Sequence, residues 1–135
     1  MSLEDLAGQF LVEDSIGSER LQRLIEKLLP HCVVHKNGAV DITGNFSGKE
    51  SVKLVLAARL VASKLKDSPV SGEVTLEEIS AQTGLPKNQA AARAKDCVDE
   101  KFAERAGQAS YKARQNKLEA FLEELAQAKG KRVSK

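Results

Sequence analysis

The sequence has few of the residues that build covalently linked or metal-stabilised folds. It contains two cysteines and two histidines, and Cys32 and Cys97 lie far apart without CxxC or Cys/His spacing. Neither a disulfide framework nor a zinc site is expected, and we interpret the two thiols as small buried side chains. His31 and His35 have no carboxylate at metal-ligand spacing, so we assign them structural or surface positions. We expect no metal and no cofactor.

Long apolar runs are also missing. No stretch approaches the roughly 20 consecutive apolar residues that cross a bilayer, so no membrane partner is expected. The first residues, MSLEDLAGQF, carry acids where a secretory signal would carry basic residues, which leads us to expect a cytoplasmic protein. The length of 135 residues, with 41% hydrophobic and 30% charged, is that of one globular domain with an appended helix.

Common arrangements of catalytic residues are absent from the sequence. There is no glycine-rich phosphate loop, no nucleophile with a base nearby in sequence and no cluster of metal ligands. The segment GNFSGKES lacks P-loop spacing, and its Ser47 and Glu50 fit a helix cap instead. We expect a protein that is not an enzyme.

Positive charge is concentrated towards the C-terminus. From Lys87 onward the chain has 12 Lys/Arg against 7 Asp/Glu, whereas residues 1–86 have 9 against 12. Such asymmetry is typical of a protein with a polyanionic partner, although a solvated face explains a modest excess equally well.

Two amphipathic helices and a hairpin are predicted at the start of the chain. The first helix lies in SLEDLAGQFLVEDS, with Ser2 as a candidate cap, and the second lies between Ser18 and Pro30. In HCVVHKNGAVDIT, the dipeptide Asn37-Gly38 predicts a β-hairpin whose two central turn residues both have positive φ. The apolar positions of the two helices are Leu3, Leu6, Phe10 and Leu11, then Leu21, Leu24, Ile25, Leu28 and Leu29.

A central helix is expected after the hairpin. Ser47 and Glu50 fit a capping box that starts it. The run SVKLVLAARLVASKLK is apolar on more than one face, which predicts a helix that packs on two sides, and the turn formers in DSPVSGE predict a loop after it. The apolar residues of this run are Val52, Leu54, Val55, Leu56, Leu60, Val61 and Leu65.

The stretch TLEEISAQTGLPKNQAAARAKD predicts two helices joined by a tight corner. Thr75 and Glu78 form a second capping box, and Gly84 permits the left-handed conformation that ends the first helix. Leu85 is expected to fill the corner, while Pro86 suits the start of the second helix, where its missing N–H is not needed. That helix carries an inward stripe of small residues, Ala90, Ala94 and Cys97.

This pattern, from TLEEIS to CVDEKF, resembles the helix-turn-helix of winged-helix transcription regulators. The family form is a capped short helix, a Gly-Leu turn, a recognition helix and a final apolar residue that opens a strand. With the predicted elements, the resemblance implies a mostly α fold with small β-hairpins (α+β). An N-terminal helix–hairpin–helix region (1–70) precedes a winged helix-turn-helix (71–114), and a C-terminal helix with a basic tail (115–135) follows. The layout is also similar to that of small archaeal DNA-binding proteins.

The resemblance implies a sequence-specific double-stranded DNA-binding protein, a transcriptional regulator. Its recognition helix, about residues 86–101, would lie in the major groove, where amides pair with adenine, Arg with guanine and Lys with phosphate. A wing at 103–113, turning near Ala106-Gly107-Gln108, would touch the backbone or minor groove. The candidate DNA-binding residues are Lys87, Asn88, Gln89, Arg93 and Lys95 on the helix, and Arg105, Gln108 and Lys112 on the wing.

An alternative function is a winged-helix protein–protein interaction module in a larger assembly, on which exposed Lys and Arg are merely solvated.

The chain departs from the family pattern at three positions. Ala90 and Ala94 stand where larger aliphatic residues are usual, and Lys101 stands where a glycine usually precedes the wing strand.

A last amphipathic helix is predicted in RQNKLEAFLEELAQAKG, with Gly130 as its cap. Its apolar stripe either folds back on the N-terminal helices or pairs with the same helix of a second copy, which would form a homodimer. Packing within the chain is slightly favoured. The apolar stripe of this helix consists of Leu118, Phe121, Leu122 and Leu125. The basic tail KGKRVSK would add nonspecific phosphate affinity.

Overall fold

The computed structural model describes residues 2–3, 17–65 and 68–133, with the side chains of residues 128–133 outside that description. Within this part the chain is an α+β protein with five α-helices and two small antiparallel sheets. The predicted mixture of helices and small β-elements is therefore confirmed at the level of fold class. The helix predicted in SLEDLAGQFLVEDS lies almost entirely outside the described residues, and so do the last two residues of the basic tail.

A helix and a β-hairpin come first. Helix α1 (Ser18–Leu28) buries Leu24 and Leu28 on its inner face, as its apolar spacing predicts, and Leu21 and Ile25 are partly buried beside them. Leu29, which the same spacing predicts on this face, follows the helix and is exposed. Strands β1 (Cys32–Val34) and β2 (Val40–Ile42) follow and pair antiparallel. Each strand has a buried first residue that faces the core.

The hairpin turn differs from the sequence prediction. The N–H of Gly38 donates to the carbonyl of His35, and the N–H of His35 donates to the carbonyl of Ala39. Three residues therefore connect the strands, and a connection of this length needs only its last residue in the left-handed region. Gly38 has a φ of 94°, whereas Asn37 is not among the residues with positive φ. The prediction of a turn with positive φ at both residues was wrong.

Helix α2 (Gly48–Ser63) forms the centre of the molecule. Both hydrogen bonds of the predicted capping box are present: Glu50 N–H donates to Ser47 Oγ over 3.1 Å, and Ser47 N–H donates to Glu50 Oε1 over 2.9 Å. Most of the helix is buried, and it contacts helices and strands from both halves of the chain. Of the core residues predicted in this run, Leu65 is the exception, since it follows the helix and is exposed.

The second half of the chain combines two helices with a three-stranded sheet. Strand β3 (Val74–Thr75) leads directly into α3 (Leu76–Thr83), and α4 (Lys87–Asp99) follows after a short corner. Strands β4 (Ala103–Gly107) and β5 (Ser110–Ala113) form a hairpin. The sheet order is β3-β5-β4 and all pairs are antiparallel. Strand β3, directly before α3, therefore pairs with β5, the central strand of the sheet, and so links the hairpin to the start of α3.

The corner between α3 and α4 is built as its sequence predicts. Glu78 N–H donates to Thr75 Oγ1, and Thr75 N–H donates to Glu78 Oε1, both over 3.1 Å. Gly84 ends α3 with a φ of 77°, and its N–H donates to the carbonyl of Ser80 over 3.0 Å. The Ser80 hydroxyl also donates to the carbonyl of Leu85, which fixes the exit from the corner. Two separate helices, rather than one continuous rod, are confirmed.

Helix α5 (Leu118–Val133) closes the core after a single 3-10 turn. It continues past Gly130, so the prediction that this glycine ends the helix was wrong; a helix interior tolerates glycine at a cost of about 1 kcal/mol. The four apolar residues of its predicted stripe are all buried within the chain. Ion pairs Arg20–Glu119 (2.6 Å) and Lys27–Glu123 (3.1 Å) join it to α1.

The buried apolar residues form one continuous cluster that runs from α1 through α2 to α5. This cluster includes side chains from both sheets and from all five helices. The predicted division of the chain into 1–70, 71–114 and 115–135 stays a prediction.

Candidate nucleic-acid interface

Helix α4 lies close against its neighbours because its inner face has only small side chains. Ala90, Ala94 and Cys97 are completely buried, which confirms the stripe predicted from their spacing. The helix contacts both α2 and α3. Val98 is partly buried against the core, and the polar side chains of the helix point to solvent or to its flanks.

The eight sequence-predicted site residues lie on the surface of two neighbouring elements. Five occupy α4 and three occupy the β4–β5 hairpin, and α4 contacts β4 directly. No hydrogen bond or ion pair joins the two groups within the part of the chain that the structure describes. Exposed members are Lys87, Asn88, Gln89, Arg93, Lys95, Arg105 and Gln108, while Lys112 is half-buried.

The cations on these elements are weakly compensated. Lys87 Nζ lies 3.7 Å from Glu77, and Arg93 Nη1 lies 3.4 Å from Asp96, both in exposed pairs that are worth little in water. The Arg105 guanidinium lies over the Tyr111 ring, 5.8 Å from its centroid. These positive charges remain accessible to an anionic partner.

Two further lysines of the site, Lys95 and Lys112, have no carboxylate oxygen within 4.0 Å among the described residues. One lies on α4 and the other on β5. They are therefore suited to a partner's phosphates without first giving up an internal salt bridge.

Acidic residues divide α4 into two halves. The first half has no carboxylate, whereas Asp96, Asp99 and Glu100 cluster at the end. Asn88 and Asp99 lie on the same side of the helix because eleven residues make about three turns. A duplex lying along the whole helix would therefore meet carboxylates, whereas one that meets only its N-terminal half would not.

A cleft of about 650 Å³ separates the beginning of α2 from one flank of α4. A Cβ placed on Gly48 would lie 3.5 Å from the Leu85 methyl groups and 3.7 Å from Arg93 Cγ, so the two walls approach closely at that point. We call this space the α2–α4 cleft. Its polar lining comes from Ser47, Lys49, Asn88, Gln89 and Arg93.

At the far end of that flank, Glu100 accepts hydrogen bonds from two lysines of α2. Lys49 Nζ is 2.6 Å from Oε2, and Lys53 Nζ is 3.0 Å from Oε1. The hydrogen bonds from Lys49 and Lys53 hold the pKa of Glu100 below its ordinary value, and the same carboxylate raises the pKa of Lys49. Sequence reasoning missed this cluster because its members lie about fifty residues apart in the chain.

A buried arginine fixes the approach of the N-terminal hairpin to α3. Arg59 Nη1 donates to Glu78 Oε2 over 2.6 Å and to the carbonyl of Gly38 over 3.1 Å. Its other nitrogens donate to the carbonyls of Ser71 and Glu73. The only sequence signal was a single arginine within an otherwise apolar helical run, and it was not recognised.

The same contacts tune the capping carboxylate of α3. Burial alone would raise the pKa of Glu78, but the hydrogen bonds from Arg59 and Thr75 outweigh it and lower that pKa. The side chain therefore acts both as a helix cap and as the partner of a buried cation. The pair therefore joins the start of α3 to the buried arginine of α2.

On the N-terminal side an apolar groove of about 440 Å³ lies between the ends of α1 and α2 and strand β1. Leu29, Val33 and Leu65 at this groove are 57%, 47% and 43% exposed. Its polar lining includes Lys36 and His35, and the His35 ring Nε2 lies 2.6 Å from Asp41 Oδ2. Large exposed apolar side chains gathered in one place are typical of a contact surface.

Both cysteines are free and buried, and burial raises the pKa of each thiol to about 11.

In the described ranges, no group of three or more His, Cys, Asp or Glu is arranged to hold a metal ion. Nor does any helix there have both the length and the apolar character needed to cross a membrane. Comparison of the chain with protein-family models, curated proteins and solved structures found no match.

Proposed function

We propose that this protein is a non-enzymatic, sequence-specific binder of double-stranded DNA that regulates transcription, and that residues 71–114 form a winged helix-turn-helix. One observation carries the proposal: α4 buries only small residues and turns its amide and cationic side chains outward. The capped α3, the corner at Gly84 and the hairpin after α4 support it.

In this proposal the N-terminal half of α4 enters the major groove. Asn88, Gln89 and Arg93 have the groups that pair with adenine or guanine edges, whereas Lys87 and Lys95 suit phosphates. The carboxylates at the end of α4 stay outside the groove. Recognition helices that contact bases mainly through their first turns have this geometry.

The β4–β5 hairpin would serve as the wing. Arg105 and Gln108 are exposed and Lys112 is half-buried, which leaves all three able to touch the sugar-phosphate backbone or the minor groove. Such contacts position the protein without reading sequence.

Fluorescence anisotropy with a labelled duplex at about 50 and 200 mM salt tests the proposal, because phosphate contacts produce a steep salt dependence. Gln89→Ala or Arg93→Ala is expected to relax the preference at one base pair by about 1–3 kcal/mol. Lys95→Ala and Lys112→Ala should weaken all duplexes alike. Absence of salt-sensitive binding would exclude DNA as the partner, and losses that ignore sequence in every variant would exclude specific recognition.

A second candidate, a protein-docking module, is favoured by the apolar groove beside β1. Its lining predicts a partner segment with apolar side chains and a carboxylate that would meet Lys36. Val33→Glu should abolish binding of such a partner, since it adds a carboxylate to an exposed apolar position. A stoichiometric complex that is lost in this variant, combined with no salt-sensitive DNA binding, would favour the docking function.

A homodimer would place two copies of α4 at half-sites about 34 Å apart. The apolar stripe of α5 cannot join the copies without leaving its own core, because all four of its residues are buried in the chain. A dimer through the C-terminal helix would therefore use the outer face of α5. Sedimentation equilibrium, with and without a duplex, measures the stoichiometry directly.

A further inference from the structure

The α2–α4 cleft lies beside the proposed recognition surface, yet none of the eight candidate DNA-binding residues comes from its α2 wall. Gln89, Arg93 and Glu100 form one flank of α4, because residues four and seven apart lie on the same side of a helix. That flank faces the beginning of α2, as the short approach between Gly48 and Arg93 shows. Lys49, in the first turn of α2, is thus beside the side chains expected to meet the duplex.

Lys49 is already engaged, but by an exposed partner. Its ammonium bonds to Glu100, and both side chains are 40% exposed. Glu100 also accepts a hydrogen bond from Lys53, which is much less exposed and lies over the Phe102 and Phe121 rings. Lys53 is therefore held in place, whereas Lys49 can exchange its carboxylate for another anion at the surface.

We propose that the α2–α4 cleft takes one backbone phosphate of the bound duplex on Lys49, and that Glu100 competes with this phosphate for the lysine. The inference rests on the proposed DNA binding and adds a contact from a second helix. A duplex with its major groove on the first half of α4 carries a phosphate strand along each flank of that helix. One strand then runs past the cleft, where Lys49 replaces its bond to Glu100 with a charge-assisted bond to phosphate.

The structure supplies matched control pairs for the test. Glu123 accepts a bond from Lys27 over 3.1 Å on the α1–α5 side, so Glu123→Gln and Lys27→Ala change the net charge as Glu100→Gln and Lys49→Ala do. The probe is a fluorescein-labelled duplex of about 21 base pairs, two helical turns, of random sequence. Binding is measured by anisotropy at about 50 and 200 mM salt, and far-UV circular dichroism verifies folding.

Glu100→Gln should tighten binding about three- to fivefold relative to Glu123→Gln, since it removes the competing carboxylate. Lys49→Ala should weaken binding about fivefold more than Lys27→Ala and reduce the salt slope by about 1, the value for one lost phosphate contact. When Lys49→Ala is already present, adding Glu100→Gln should give little of the increase in duplex affinity that it gives in the wild-type protein. Lys49→Gln, which keeps a side chain of similar length without the charge, should match Lys49→Ala.

Equal effects of the paired variants would show that only net charge matters and would overturn the inference while leaving the proposed function intact. Competition for Lys49 is likewise overturned if Glu100→Gln keeps its full gain in the Lys49→Ala background. A wild-type protein without salt-sensitive binding to the duplex would overturn both the inference and the proposed function.

Discussion

Lys101 is the only non-glycine residue with a positive φ in the described part of the chain, at 64°. The left-handed region costs such a residue about 1–2 kcal/mol, more than the roughly 0.5–1 kcal/mol of extra backbone entropy that a glycine loses on folding. Lys101→Gly is therefore expected to raise the free energy of unfolding by about 0.5–1 kcal/mol in urea titration. Lys101→Ala keeps the Cβ and should give no such gain; equal stabilisation by both variants would point to the lysine side chain as the source of the strain.

At the scale of single elements, the sequence predicted both capping boxes, the left-handed Gly84 and the buried faces of α1, α4 and α5. These features depend on residues within one or two helical turns, so their spacing in the sequence is their spacing in space. The hairpin at Asn37-Gly38 was also predicted, but the φ values of its turn were not. The dipeptide is compatible with two hairpin geometries, and only the register of the strands around it decides between them.

The N-terminal cap of α3 is an element-scale feature whose contribution to stability can be measured on its own. Thr75→Ala removes the hydroxyl that accepts from Glu78 N–H and should lower the free energy of unfolding by about 1 kcal/mol. Thr75→Ser retains the hydroxyl and should stay close to wild type in the same urea titration. If the alanine and serine variants unfold at the same denaturant concentration, the cap does not contribute to stability.

For the molecule as a whole, the contacts that place the elements relative to one another could not be predicted from local spacing. Arg59 bonds to groups from 12 to 21 residues away, and Glu100 joins α4 to α2 across about fifty residues. Nothing in the sequence around either residue specifies its partner. The surface placement of the candidate residues on α4 and the hairpin could be predicted because one motif contains them, whereas the position of Lys49 beside them depends on the folded chain.

The pH dependence of the free energy of unfolding tests whether the Arg59–Glu78 pair stabilises the folded chain. Because hydrogen bonds from Arg59 and Thr75 overcome the effect of burial and lower the pKa of Glu78 in the folded chain, its contribution is present above its ordinary value of 4.5 and is lost as the pH falls through the lowered value. The free energy of unfolding should therefore decline below about pH 4.5, and Glu78→Gln should make this decline shallower. Urea unfolding followed by circular dichroism between about pH 3 and 7 measures both curves. Glu100 and Glu119, whose pKa values are also lowered, by hydrogen bonds from Lys49 and Arg20, leave a residual slope in the variant. Parallel curves for the two proteins would show that the pair does not couple protonation to folding.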